Sequence, residues 1–180
     1  MALRRQQSSM SRLTWDQYFI EMAITATLRR TCMRRSVGAV LVKDNQIIST
    51  GYNGSPSGYP NCVDQMECIR VTKGIPSGER LDLCIAVHAE INALDQALRR
   101  GLPTIGTTLY CTTLPCERCA RTIIRLGVSR VVYIGHYPGT NSLALFKVAG
   151  IQTECIERGE MPYETDRYAK QMYNIDQPER

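Results

Sequence analysis

Two short groups of metal-binding side chains constrain the fold of this chain more than any other feature of its sequence. His88 and Glu90 lie in the segment HAE, and Cys116 and Cys119 lie in the segment PCERC, which begins 27 positions after the histidine. Imidazole nitrogen and thiolate sulfur are ligands that zinc prefers, and a catalytic zinc site uses three protein ligands and leaves a fourth position for water. Two cysteines three positions apart in a first helical turn lie on one face. The sequence therefore predicts a fold that brings His88, Cys116 and Cys119 to one ion.

The hydrophobic pattern predicts an α/β fold around these groups. Thr14 and Gln17 form a capping-box pattern before an amphipathic helix. Two strands at 37–42 and 46–50 flank a turn and read as a hairpin. From His88 onwards, elements alternate: helix 88–100, strand 108–112, helix 116–126, strand 130–134, helix 143–148 and strand 151–156. Because such alternation implies parallel strands with right-handed crossovers, we predict a three-layer α/β/α sandwich with a five-stranded mixed sheet whose first pair is antiparallel.

The chain divides into one domain and two flanking segments. We predict a flexible N-terminus at 1–12, the domain at 13–156 and a C-terminal extension at 157–180. Inside the domain, residues from about 52 to 84 form an insertion rich in Gly, Pro, Ser and Cys. Irregular segments of this length are usually functional or held in place by something.

Composition excludes several classes of protein. The 22 Lys+Arg residues outnumber the 17 Asp+Glu residues, which suits an anionic ligand. This excess is weaker than the basic face of a nucleic-acid binder, so no stable nucleic-acid partner is expected. No apolar run approaches the ~20 residues of a membrane span, and an apolar secretion segment is missing from the N-terminus. Because eight cysteines without such a segment favour metal binding over disulfides, we expect a cytoplasmic protein.

Glu90 is placed to do acid–base chemistry beside the ion. It lies two residues after His88, where it can face a water on the metal without ligating the metal itself. The combination H-x-E with P-C-x-x-C is the signature of zinc-dependent nucleotide deaminases, in which this carboxylate takes a proton from the water and delivers it to the base. The alternative is a purely structural zinc site, which normally has a fourth protein ligand.

The chain resembles the deoxycytidylate (dCMP) deaminases of the cytidine-deaminase superfamily, including the late-competence and phage branches. The similarity runs from about residue 13 to 156 and is carried by LTWDQYF at 13–19, SVGAV at 36–40, GYNGSPSG at 51–58, HAEINA at 88–93 and PCERC at 115–119. The zinc motifs are specific only to the superfamily, whereas the GYNG segment and Asn92 narrow the resemblance to dCMP deaminases. The implied fold is cytidine-deaminase-like.

The resemblance implies hydrolysis of dCMP to dUMP and ammonia, which feeds thymidylate (dTMP) synthesis. It also implies a homohexamer that dCTP activates and dTTP inhibits. Matched residue by residue, Asn53 holds the nucleoside and Arg34 contacts the substrate phosphate. An amide can bind a sugar hydroxyl or a base edge, and a guanidinium binds phosphate bidentately. Three alternatives remain open. Asn53 could be an ordinary turn residue, and Arg34 could be a surface charge. Arg35 could also contact the phosphate in place of Arg34.

Two further substrate contacts and an effector site are also expected. Asn92 either contacts substrate or buttresses the active-site helix. Tyr137 follows a strand end, and it either stacks on the base, lines the effector site or serves only in packing. The resemblance places the triphosphate effector on the glycine-rich segment after the second strand, whose candidate residues are Gly51, Tyr52, Gly54, Ser55 and Gly58.

Four more cysteines precede the catalytic histidine. Some dCMP deaminases carry a second, structural zinc in this insertion, so we expect a closed site formed by Cys32, Cys62, Cys68 and Cys84. Such a site would explain how an irregular loop stays ordered. The alternative is a scatter of small buried thiols. The last two cysteines, Cys111 and Cys155, lie in predicted strands and are expected in the core.

Other functions remain possible from the sequence alone. One is a deaminase acting on another or a modified cytosine nucleotide, since one pocket side chain could decide this specificity. A tRNA editor would need a larger basic face. A different class of protein is a nucleotide-binding module that is stabilised by zinc and has no catalytic turnover, although such a module has no need of Glu90.

Overall fold

The computed structural model describes residues 12–76, 79–136 and 140–157. Almost all of the predicted flexible N-terminus and C-terminal extension lies outside these ranges. Tyr137 also lies outside the described residues. The helices are α1 Trp15–Ala26, α2 Cys62–Gln65, α3 Ile69–Thr72, α4 Ala89–Arg99, α5 Glu117–Arg125 and α6 Ser142–Val148. The strands are β1 Gly38–Lys43, β2 Gln46–Tyr52, β3 Thr108–Cys111, β4 Arg130–Tyr133 and β5 Gln152–Cys155. None of the described helices is long and apolar enough to cross a membrane.

The five strands form one mixed sheet in the order β2-β1-β3-β4-β5. Strand β1 is antiparallel to both β2 and β3, while β3, β4 and β5 are mutually parallel. Asp44 and Asn45 join β1 to β2 with positive φ angles of 50° and 58°, the conformation that a tight hairpin turn requires. The predicted five-stranded mixed sheet and its antiparallel first pair are confirmed.

Helices cover both faces of the sheet because neighbouring strand residues point to opposite sides. Val40 and Val42 belong to a core cluster with Phe19 and Ile20 of α1. The alternate residues of β1, including Leu41, belong to a second cluster to which α4, α5 and α6 contribute. This arrangement is the predicted α/β/α sandwich.

Helix α1 begins as its capping box predicts, and a partly buried ionic contact fixes it to the sheet. The Thr14 hydroxyl accepts from the Gln17 N–H, and the Gln17 side chain accepts from the Thr14 N–H. Asp16 in the first turn accepts from both Arg130 terminal nitrogens, at 2.7 and 2.8 Å, and from the Tyr110 hydroxyl at 2.7 Å. The hydrogen bond from Arg130 holds the pKa of Asp16 below its usual range.

The insertion departs from the irregular loop expected, because it contains α2, α3 and a 3-10 turn at Leu81–Leu83. Another expectation is wrong for Cys155, which is exposed on the edge strand β5, where every residue is exposed. Its position on β5, the outermost strand of the described sheet, explains the exposure. Cys111, in the sheet interior, is fully buried as expected.

Candidate metal and substrate site

The three predicted metal ligands converge at two helix N-termini. His88 is the N-cap of α4 and Cys116 is the N-cap of α5, so each ligand stands where its helix begins. The His88 Nδ1 atom lies 3.5 Å from the Cys116 Sγ atom and 3.3 Å from the Cys119 Sγ atom. These three atoms are the only set of three or more potential metal ligands from His, Cys, Asp or Glu that lie within 4.8 Å of one another in the described part of the chain.

The packing of β2 against α4 determines where His88 stands. A Cβ atom added to Gly51 would lie 2.1 Å from the Ala89 carbonyl oxygen and 2.5 Å from the Ala93 nitrogen. Any side chain at position 51 would therefore push the first turn of α4 away from the sheet. Two positions earlier on the same face of β2, Ser49 donates to the Ala93 carbonyl at 2.7 Å. The close approach at Gly51 thus explains the glycine through packing.

The electrostatics of the cluster suit a cation. The hydrogen bond from the Cys119 thiol, followed by the contact with His88, lowers the pKa of Cys116 to about 4, which favours its thiolate form. That same hydrogen bond, together with burial, raises the pKa of Cys119. Helix N-termini favour negative charge, and both ligand groups lie at such termini. One imidazole and two sulfurs in this geometry match the donor set of a catalytic zinc site.

Glu90 is buried against the cluster with one oxygen unused. Its side chain is 3% exposed, and its Oε2 atom has no hydrogen-bond partner. Burial raises the pKa of Glu90, and the nearby His88 partly opposes this shift. A raised carboxyl pKa brings the group closer to neutral pH, where it can both accept and release a proton. An orphaned buried carboxylate oxygen beside three metal ligands fits a proton-transfer role facing a bound ion.

A cavity opens over the cluster and collects several of the predicted substrate residues. Its wall includes His88, Glu90, Asn53, Arg34 and Arg35. The Asn53 side chain accepts from the Val37 N–H at 2.9 Å and donates to the Arg35 carbonyl at 2.8 Å. An amide has two N–H donors and two lone pairs, so one of each stays available on Asn53.

Asn92 lies elsewhere. Its side-chain N–H donates to the Tyr52 carbonyl at 2.7 Å, and Asn92 lines a second groove rather than the cavity with Glu90. The structure therefore does not bring Asn92 to the metal cluster, and this position favours the buttressing role over contact with substrate.

The second groove contains most of the predicted effector segment. Gly51, Tyr52, Ser55 and Gly58 line it, together with the basic residues Arg29, Arg99 and Arg100. Gly54 is not among the lining residues; a Cβ atom there would lie 2.3 Å from the Thr31 hydroxyl, so close approach explains this glycine.

Cys32 and the three insertion cysteines, Cys62, Cys68 and Cys84, line the cavity that contains Glu90. Burial, and then the neighbouring thiols of Cys32, Cys68 and Cys84, raise the pKa of Cys62. The four groups are therefore near one another, yet no three of them lie within the 4.8 Å that the His88 cluster meets. Their sulfurs would have to approach further to share one ion.

Sequence reasoning missed Arg70, which also lines this cavity and is 7% exposed. Its only local signal was an arginine between Ile69 and Val71 in an otherwise irregular insertion. Periodicity cannot resolve the inward face of a single helical turn, because four residues do not establish a period.

Comparison with known proteins places this site in a family. The model of the cytidine and deoxycytidylate deaminase zinc-binding region matches residues 13–135. This chain belongs to that family. The match spans every ligand of the His88 cluster and Glu90.

Three relatives extend the comparison. The deoxycytidylate deaminase of Schizosaccharomyces pombe is 43% identical over 78% of this chain, which spans only 44% of that protein. The deoxycytidylate deaminase of Mycobacterium phage D29 is 44% identical over 69% of this chain and is matched over 97% of its own length. The crystal structure of the dCMP deaminase of cyanophage S-TIM5 with dCMP and dUMP superposes with a TM-score of 0.66. It is 29% identical and is matched over 78% of this chain and 95% of that chain.

Proposed function

We propose that this protein hydrolyses dCMP to dUMP and ammonia. The observation that carries the proposal is the buried Glu90 carboxylate with an unpartnered oxygen beside the His88, Cys116 and Cys119 cluster, facing a cavity lined by arginines. The relatives named deoxycytidylate deaminase, one matched over nearly its whole length, and the S-TIM5 structure that contains dCMP and dUMP support this substrate.

The chain's own residues supply the proton transfers. His88, Cys116 and Cys119 would hold a zinc ion, which supplies Lewis acidity and lowers the pKa of water. Glu90 takes a proton from the attacking water at its free oxygen and passes it to the ring nitrogen. It then takes the proton of the hydroxyl group added to the ring carbon and delivers it to the amine, which leaves as ammonia while the carbonyl forms. Burial of Glu90 excludes bulk water, so the proton is kept between carboxylate and substrate.

Asn53 and Arg34 are the proposed substrate contacts. The remaining N–H and lone pair of Asn53 are available to a sugar hydroxyl or base edge, and its two backbone bonds hold the amide in one orientation. Arg34 lines the same cavity, with Nη1 donating to the Ile75 carbonyl at 2.8 Å. Its other N–H groups can bind a phosphate oxygen.

Regulation by nucleoside triphosphates is proposed for the second groove. The glycine-rich edge formed by Gly51, Tyr52, Ser55 and Gly58 faces Arg29, Arg99 and Arg100, which supports binding of a polyanion. In this proposal dCTP activates and dTTP inhibits a homohexamer in the cytoplasm. Sedimentation with and without dCTP tests the assembly.

A second, structural zinc held by Cys32, Cys62, Cys68 and Cys84 completes the proposal. Its support is the proximity of the four thiols around the cavity. Binding of an ion would draw the sulfurs together and connect α2, α3 and the 3-10 turn of the insertion.

The test is ammonia release from the purified protein with dCMP, dCTP, deoxycytidine, cytidine and cytosine as substrates, each with and without added dCTP or dTTP. Turnover of dCMP that dCTP raises and dTTP lowers is the expected result. If a cytosine nucleotide modified on its ring is deaminated in the same assay and dCMP is not, the modified nucleotide is the substrate. Zinc-loaded protein that binds dCMP without releasing ammonia would favour the binding module instead.

A further inference from the structure

Arg70 is buried in a place where an arginine is unfavourable without a ligand. Of the Asp, Glu, Lys and Arg residues that the structure describes, only Arg70 and Glu90 are buried, at 7% and 3% exposure. Glu90 belongs to the metal centre, which accounts for its burial. Arg70 lies in the insertion, on the short helix α3.

Helix α3 has the reverse of the usual orientation. The apolar neighbours of Arg70, Ile69 and Val71, are 44% and 58% exposed, while the guanidinium between them faces inward. The hydrophobic effect alone favours the opposite arrangement, with the two aliphatic side chains buried and the charge in water. The inward arginine therefore has a role that outweighs this preference.

The hydrogen bonds of Arg70 leave its charge uncompensated. Its Nη2 atom donates to the Pro76 carbonyl at 2.9 Å, and its buried Nε atom has no partner. No carboxylate among the described residues forms a salt bridge with it. A guanidinium stays protonated at any physiological pH, and a buried charge is unfavourable unless an opposite charge meets it.

A second guanidinium is held next to it. Arg34 donates to the carbonyl of Ile75, and Arg70 donates to the carbonyl of Pro76, the next residue in the chain. Both arginines line the cavity over the metal cluster, and among the described residues that line it Glu90 is the only carboxylate. Two like charges anchored on successive carbonyls repel each other unless an anion lies between them.

We propose that Arg70 binds the 5′-phosphate of the substrate together with Arg34 and so makes the enzyme prefer a nucleotide to a nucleoside. The fork of a guanidinium matches two phosphate oxygens, and the unused Nε–H and Nη–H groups of Arg70 form such a fork. The insertion thus supplies a substrate-specificity residue to the site. This inference rests on the proposed deamination of dCMP.

The test compares kcat/KM for dCMP and for deoxycytidine in wild-type protein, Arg70→Gln and Arg80→Gln. Arg80 is an exposed arginine of the same insertion that pairs with Asp82 and does not line the cavity, so its variant is the matched control. We expect Arg70→Gln to lower kcat/KM for dCMP by about 100-fold, as for loss of a charged hydrogen bond, and to leave deoxycytidine nearly unchanged. Arg80→Gln leaves the ratio of the two substrates at the wild-type value.

The outcomes separate the two proposals. An equal fall for both substrates, or an unchanged ratio, in Arg70→Gln would overturn the phosphate role. If Arg70→Gln does not fold, Arg70→Lys, which keeps the charge but loses the fork, carries the same comparison with a smaller expected fall. Wild-type protein inactive on dCMP would overturn the proposed function, and the ratio of dissociation constants for dUMP and deoxyuridine would then test Arg70 by calorimetry.

Discussion

The Nδ1 atom of His88 lies 3.3 Å from the Sγ atom of Cys119, although 31 positions separate these residues in the chain. Between them the chain completes α4, crosses the sheet as β3 and returns to begin α5. The metal site is therefore a product of two helix N-termini that the fold brings together, beside the buried Glu90.

Replacing Glu90 by Gln should abolish deamination while zinc stays bound. The amide keeps the size of the carboxylate but cannot carry a proton, and loss of general acid–base catalysis lowers rates by about 10²- to 10⁴-fold. Ammonia release and metal analysis on the same sample measure the two effects. Glu67→Gln, at an exposed carboxylate of the insertion, is the control and should keep full activity. Retention of the wild-type rate by Glu90→Gln would show that another group moves the proton.

Removing a thiol from the His88 cluster should remove both metal and activity. Cys116→Ser replaces a thiolate, the form that binds zinc, by a weakly acidic hydroxyl. Zinc content measured by atomic spectroscopy is expected to fall by one ion per chain. Cys155→Ser, at the exposed edge strand, should change neither quantity. A chelator should inactivate the wild-type protein and added zinc should restore it; activity that persists in fully zinc-free protein would contradict the assignment.

The proposed zinc site of Cys32, Cys62, Cys68 and Cys84 can be tested by counting the zinc ions in each chain. Wild-type protein should contain two zinc ions per chain, and Cys62→Ser should contain one. The loss of the structural ion should also make the insertion more susceptible to proteolysis, because metal binding to a closed site is coupled to folding of the loop. One zinc ion per chain in the wild type, unchanged in Cys62→Ser, would leave these cysteines as ordinary buried thiols.

The contact between Asp16 and Arg130 predicts an acid-dependent stability. A carboxyl whose pKa is lowered in the folded state adds stability that is complete above its unfolded pKa, near 4, and is lost as pH falls through the folded pKa. Asp16→Asn should therefore lower the free energy of unfolding by about 1–2 kcal/mol at pH 7, allowing for partial exposure of the pair. Denaturant titrations at pH 7 and at lower pH should show the difference from wild type shrinking below about pH 4.

Asp95→Asn, on the exposed face of α4, controls for the loss of one negative charge and should have little effect at either pH. A difference between Asp16→Asn and wild type that stays the same at low pH would mean that packing, and not the ion pair, explains the destabilisation.

Elements with strong local signals were predicted well. Helix α1 begins at its capping box, and the hairpin turns at Asp44 and Asn45. These features depend on hydrogen bonds and backbone preferences within a few residues, so a local pattern suffices. The insertion was read as irregular because α2 and α3 are four residues each, too short for a hydrophobic period.

Positions that depend on distant partners were harder to assign. Cys155 lies in a strand, yet only the place of β5 at the sheet edge leaves it exposed. Asn92 follows Glu90 by two positions, but the rotation of the helix turns its amide to the Tyr52 carbonyl and not to the metal cluster.

The sequence by itself determined the order of the strands and of the helices outside the insertion. It also predicted the three metal ligands and the acid–base residue, since each follows from residue type and spacing along the chain. Only the tertiary structure decided that Arg70 is buried and shares the cavity with Glu90 and Arg34. The physical reason is that the burial of a charge depends on which distant segments enclose it. Here the chain at Ile75 and Pro76 supplies the carbonyls that hold both guanidiniums over the site.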